Sequence, residues 1–294
     1  MPNWSQILEE IQVENPLRAL EHKRKHYLQE ISNITGRNVI TYYSGWLKNP
    51  AAPNTLINDA DTNAFMTMIH GMDRTKGLDL ILHTPGGDIA ATESIVNYLK
   101  RMFNNDIRAI VPQISMSAGT LVALSCKEIV MGEQSSLGPV DPQQGGIACQ
   151  AALEEFYSAV KEVSVNEHAL GLWQPIIAKL NPTFLTSCRH AITWTKNLMD
   201  KWVKESNPKI DIDKVKDKFL NHNNSHAHNR HLSKHDCKYV GLNIRDLEAN
   251  QNLQDAVLSL HHCYMILFDK ANISKILENH NGTCYACQYN PQKQ

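Results

Sequence analysis

Two short stretches of this sequence carry residues able to perform acyl transfer. In LILHTPGGDIA (80–90) an apolar run ends in adjacent glycines, Gly86 and Gly87. Glycine lets the backbone approach a ligand closely, and a strand-to-helix turn points peptide N–H groups outward, where negative charge is favoured. Such a turn can form half of an oxyanion hole. In IVPQISMSAGTLVAL (110–124) Ser117 stands at a second such boundary, followed by Ala118 and Gly119. A serine there exposes its hydroxyl, the next amide faces the same space, and small neighbours let an acyl group reach it. Each stretch alone has a plainer reading: a tight turn for the first, and N-capping by Ser115 or Ser117 for the second. Neither matches GxxxxGK[ST], GxGxxG or GxSxG, so a nucleotide loop and an α/β-hydrolase elbow are not indicated.

These turns need elements to hold them. NVITYYS (38–44), LDLILH (78–83), IRAIVP (107–112) and EIVMG (128–132) read as strands, the second a short apolar run of the kind buried on both faces of a parallel sheet. Helical spacing runs from Asp59 or Asp61 to Met72, from Asp88, as N-cap, to Met102, and from Ser115 to Leu124. The resulting β-α-β-α-β pattern predicts a parallel sheet with right-handed crossovers, and consecutive turns of such a sheet meet at the carboxyl edge of its strands. Around this core the division expected is a helical N-terminal arm (1–35), the α/β core (36–150), a helical extension with a histidine-rich segment that completes the core (151–250), and a helical C-terminal tail (251–294), loosely ordered beyond Asn281.

Composition narrows the class. With 42% hydrophobic and 20% charged residues in 294, the chain is long and apolar enough for a real core and is not disordered. Lys plus Arg total 29 and Asp plus Glu 30, so nothing global draws it to nucleic acid or anionic lipid. The N-terminus has no basic stretch leading into an apolar one, and no run of 18 apolar residues occurs, so no transmembrane segment and a cytoplasmic location are expected. Seven cysteines, an odd number spread over a long chain, fit a reducing compartment.

Together TPGGDI, SMSAGT and the turn SSLGPVDPQ (135–143) resemble the Clp-fold serine peptidases, the group of Clp protease and signal peptide peptidase A. The resemblance is strongest to the serine dehydrogenase proteinase family, through TGRNVITYYSGWL (35–47) and through HAHNRHLS (226–233) followed by GLNI (241–244), and covers about residues 4 to 247. It implies a Clp/crotonase-like spiral of ββα units, no cofactor, a peptide or protein substrate and a homo-oligomer. By position Ser117 matches the nucleophile, and the amides of Gly87 and Ala118 match the oxyanion donors. Clp protease has a histidine in the turn after the third strand, where this chain has Asp141 instead. The family order Ser, Asp, His makes Asp141 the orienting acid and a later histidine the base. Of His222, His226, His228, His231 and His235, His231 is favoured for its place before GLNI, with His228 and His235 as alternatives.

Other readings stand beside this one. A polar run with five histidines is commonly a solvated loop, His226, His228 and His231 could bind metal, and His280, Cys284 and Cys287 offer three zinc ligands where a structural zinc takes four. Lysine serves as base in signal peptide peptidase A relatives, but Lys127 and Lys161 sit in no matching motif. A crotonase-like acyl-CoA enzyme would share the fold and oxyanion hole, though no glutamate is well placed near Gly119 or Pro139. A third possibility is an assembly protein that has kept the fold without a competent base. No nicotinamide, flavin or Walker motif is present.

Overall fold

The computed structural model describes residues 4–10, 15–225 and 227–290. Helices α1 (Trp4–Glu10) and α2 (Pro16–Thr35) lead into strand β1 (Asn38–Ser44). A central run follows: α3 (Asp61–Ile69), β2 (Leu78–His83), α4 (Ile89–Phe103), β3 (Ile107–Val111), β4 (Ile114–Ser115), α5 (Ala118–Leu124), β5 (Glu128–Met131) and β6 (Ser136–Leu137). A short hairpin, β7 (Gln143–Gln144) and β8 (Ile147–Ala148), opens a helical stretch of α6 (Cys149–Val165), α7 (Leu170–Ile177), α8 (Phe184–Ser206), α9 (Ile212–Phe219) and α10 (His222–Ser225). The chain returns through β9 (Leu232–Ser233), α11 (Lys234–Tyr239), β10 (Ile244–Asp246), α12 (Gln251–Lys270), β11 (Ile273–Asn279) and β12 (Cys284–Gln288).

Seven strands make one sheet in the order β10-β5-β3-β2-β1-β11-β12. Its first five members run parallel, and β11 and β12 add antiparallel strands beyond β1. This is the α/β architecture with a mainly parallel sheet that the spacing of apolar runs predicts. Alternation along the strands feeds two cores. Leu78, Leu80 and Leu82 of β2 pack on one face with residues of α3, α4, α5 and α8; Ile81 packs on the other with α2 and α12. With both faces covered, every residue of β1 and β2 is buried.

Charges taken into this interior are paired. Asp79 on β2 accepts from Arg37 Nε (2.8 Å) and from Arg108 Nε (2.9 Å). Arg24 on α2 meets Glu278 on β11 at 2.7 Å, where Tyr264 also donates. Lys275 on β11 meets Asp61 at 2.8 Å and donates to the Leu56 carbonyl at 2.7 Å. Breaking the Arg24–Glu278 or the Lys275–Asp61 pair would strand an unpaired charge.

The end of the chain corrects one expectation. The region 251–294 is not helical throughout: α12 ends at Lys270, β11 enters the sheet beside β1, and β12 pairs with β11 beyond Asn281. ISKILEN hides a buried strand because Lys275 and Glu278, 1% and 2% exposed, are satisfied by ion pairs rather than replaced by apolar residues. The third helix of the core is also shorter than expected, since Ser115 belongs to β4 and α5 starts at Ala118.

Candidate active site

Main-chain hydrogen bonds lay the two turns against each other. After β2 the chain turns at Gly86 (φ 97°) and Gly87 (φ 155°), conformations that L side chains rarely adopt. Ile57 runs alongside, donating its N–H to the Gly86 carbonyl (2.8 Å) and accepting from the Asp88 N–H (2.9 Å). A Cβ at Gly87 would run into the Ile57 backbone. On the other side Thr84 donates to the Ile114 carbonyl (3.3 Å) and accepts from the Met116 N–H (2.9 Å), which ties the first turn to the second. Gly119 closes the contact, because a Cβ there would strike the Thr84 side chain. Asp88 caps α4 through a 2.8 Å bond from the Ala91 N–H.

Ser117 stands immediately before α5 with φ 49° and ψ −120°. Such a conformation costs a non-glycine residue on the order of 1–3 kcal/mol and persists only where its surroundings over-determine it. Its side chain makes no capping hydrogen bond, which removes the N-cap reading. Among the described residues, the N–H groups of Gly87 and Ala118 have no acceptor. A half-exposed hydroxyl and two open amides therefore share one space.

The third turn brings an acid to that space. Gly138 N–H donates to Thr120 Oγ1 (3.0 Å) and Val140 N–H to the Phe219 carbonyl (2.7 Å), which hold the strand end that carries Asp141. Asp141 is 2% exposed and its carboxylate accepts from two imidazoles: His228 Nδ1–H on Oδ1 (2.7 Å) and His222 Nδ1–H on Oδ2 (2.9 Å). Burial alone would raise its pKa, yet the hydrogen bonds and charges of His228 and His222 together hold it below the usual aspartate value. Donation from Nδ1 leaves Nε2 of His228 as the proton acceptor of that ring.

Gly87, Ser117, Ala118, Asp141 and His228 all line one cleft of about 600 Å³. Leu56, Leu121 and Val140 supply its apolar wall, and Ala191 and Trp194 bring α8 to it. The other histidines lie elsewhere. His231, exposed, places Nδ1 2.8 Å from Ser136 Oγ, because β9, which follows it directly, pairs antiparallel with β6. His235 Nε2 sits 3.2 Å from Glu133 on the surface. His226 falls outside the described residues. Lys127, on the surface beside Asp106, and Lys161 are not among the lining residues.

The zinc-ligand trio does not converge. His280 accepts from the Val39 N–H (3.2 Å), and Cys284 and Cys287, three apart on a strand, face opposite sides of β12. Two contributors left no sequence signal. The Ile57 clamp acts only through backbone, just after the stretch KNPAAPNT (48–55), and the α8 wall comes from a helix whose facing could not be known without the fold.

A family profile described as ClpP-like SDH-type serine proteinase matches residues 7–257. The chain belongs to that family. Among curated proteins it is similar to two uncharacterized proteins of Methanocaldococcus jannaschii. One is 37% identical over 133 residues, 44% of this chain and 46% of the relative. The other is 41% identical over 104 residues, 35% of each. The chain thus spans less than half the length of either relative it matches.

Proposed function

From that membership we propose that the protein is a serine peptidase working through an acyl-enzyme on Ser117. Ser117 Oγ attacks the carbonyl carbon of a peptide bond while His228 Nε2 accepts its proton. The N–H groups of Gly87 and Ala118 hold the tetrahedral oxyanion, each such donor contributing about 3 kcal/mol to the barrier reduction. Collapse breaks the C–N bond, the amine leaves with the proton from His228, and water then hydrolyses the ester by the same route. Asp141 keeps the His228 ring in the required tautomer. His228 thus replaces His231 as the proposed base.

The observation that carries this reading is the meeting, in one cleft, of a serine held at positive φ, two open amides and an imidazole on a buried carboxylate. The apolar wall of Leu56, Leu121 and Val140 supports a peptide or protein substrate over a small charged one. A crotonase-like acyl-CoA activity has less support, because among the described residues no glutamate lines the cleft. Intact-mass analysis after a fluorophosphonate probe tests the proposal. One adduct on the wild type and none on Ser117→Ala is the expected result. A folded wild type that takes no adduct turns the reading to acyl-CoA chemistry or to an assembly protein.

A homo-oligomer fits the exposed apolar residues Tyr157, Val160, Leu170 and Leu172 on α6 and α7. Sedimentation that finds only the monomer at micromolar concentration would remove this part. No helix among the described residues is long and apolar enough to cross a membrane, and seven unbridged cysteines support a reducing, cytoplasmic setting.

A further inference from the structure

Asp141 is shared between two imidazoles, and only one of them lines the cleft. We propose that His222 is a positioning residue of the Ser117 site: its Nδ1–H fixes Asp141 Oδ2, so that Oδ1 is held for His228. This rests on the serine-hydrolase reading of the cleft and adds to it a residue that never touches substrate.

A carboxylate that is 2% exposed must have its oxygens satisfied from within the protein. Oδ1 takes the short bond from His228 at 2.7 Å. Oδ2 takes His222 at 2.9 Å, and the amide of Gln143 stands farther off at 3.5 Å. With His228 on one oxygen and His222, backed by the longer Gln143 contact, on the other, the carboxyl plane cannot turn about its last bond without breaking a short bond. Loss of the second donor frees that rotation, and the imidazole of His228 loses its fixed orientation in the cleft it shares with Ser117.

His222 is itself anchored. Its backbone N–H donates to Gln150 Oε1 (3.0 Å) on α6, and the preceding Asn221 bonds Asp217 at 2.9 Å on α9. It does not line the cleft, whereas Asp141 and His228 do. Among the described residues, Asp141 is therefore the link between His222 and the cleft.

Substitution by asparagine and by phenylalanine separates this role from packing. Asparagine can present an amide N–H near the position of Nδ1, and phenylalanine keeps the ring and removes the donor. The measurement is the fluorophosphonate reaction resolved into its saturating rate and its half-saturating concentration. His222→Phe is expected to lower the saturating rate by about 10- to 100-fold, at or below the lower end of general-base effects, because the base itself remains. The half-saturating concentration should stay unchanged, and His222→Asn should recover most of the rate. In an Asp141→Ala background, His222→Phe should cost nothing further.

A His222→Phe protein that reacts at the wild-type rate overturns the proposal, as does equal impairment of the asparagine and phenylalanine variants with unchanged thermal unfolding. Should His222→Phe fail to fold, His222→Leu, which also removes the donor, takes its place in the cycle with Asp141→Ala: a His222→Leu change that costs as much with Asp141 absent as with it present refutes a role through Asp141. Absence of any wild-type adduct defeats the hydrolase reading and this inference with it.

Discussion

The two sides of the cleft are built differently. The side bearing Ser117 is main chain against main chain: Ile57 on Gly86 and Asp88, Thr84 on Ile114 and Met116, with glycines where no side chain fits. The side bearing His228 hangs on side-chain bonds, Asp141 to His222 and His228, Asn224 to Asp217, His222 to Gln150. Backbone geometry is set by φ and ψ and tolerates little change, while side-chain anchors can move along the chain as long as the atoms meet. Ser117 and the amides of Gly87 and Ala118 belong to the first kind, Asp141 and His228 to the second.

Three experiments would break or sharpen that contrast. The largest effect is expected within the side-chain half. His228→Ala should lower the fluorophosphonate rate by about 10²- to 10⁴-fold, the span of general-base loss, and His231→Ala should leave it nearly unchanged. Comparable losses at both would mean the cleft geometry does not identify the base. A smaller effect should appear in stability. Gly119→Val forces a side chain into Thr84 and is expected to destabilise by about 1–3 kcal/mol, read as a lower midpoint in thermal unfolding. Asn224→Ala, on the exposed segment, should cost no more than about 0.5–1 kcal/mol. Equal costs would erase the difference in rigidity between the two sides.

The smallest effect is in pH dependence. The carboxyl of Asp141 is held below its ordinary value in the fold, since the hydrogen bonds of His228 and His222 outweigh burial. A depressed native value means that the stability it contributes is present above the unfolded aspartate pKa, about 3.9, and is lost as pH falls through the lower native value. Denaturant titrations of wild type and Asp141→Asn should therefore converge below about pH 4 and separate above it. Parallel curves across that range would show that the carboxylate gains nothing from its two imidazoles.

This division also explains what could be read from the residues alone. Strands β2 and β3 announce themselves as apolar runs, and TPGG and SMSAGT as glycine and serine at strand ends, because backbone demands select residue types locally. Asp141 could be placed because it sits one short turn beyond a strand. The choice of His228 over His231 was out of reach: three residues apart in a polar loop, they differ only in that β9 pairs with β6 just after His231. β11 was equally hidden, since its buried Lys275 and Glu278 look like surface residues until Asp61 and Arg24 are seen beside them.

The Lys275 ammonium has a reach that extends to the cleft. It grips the Leu56 carbonyl, Ile57 follows, and Ile57 clasps the turn that offers the Gly87 amide. That lysine lies beyond the end of the family match at residue 257. A chain cut after α12 would keep Ser117, Asp141 and His228 intact and lose the buttress under its Gly86–Gly87 turn. The cleft residues and the masonry that steadies them thus come from separate stretches of sequence, and a chain with all three side chains in place could still lack the distant strand that braces them.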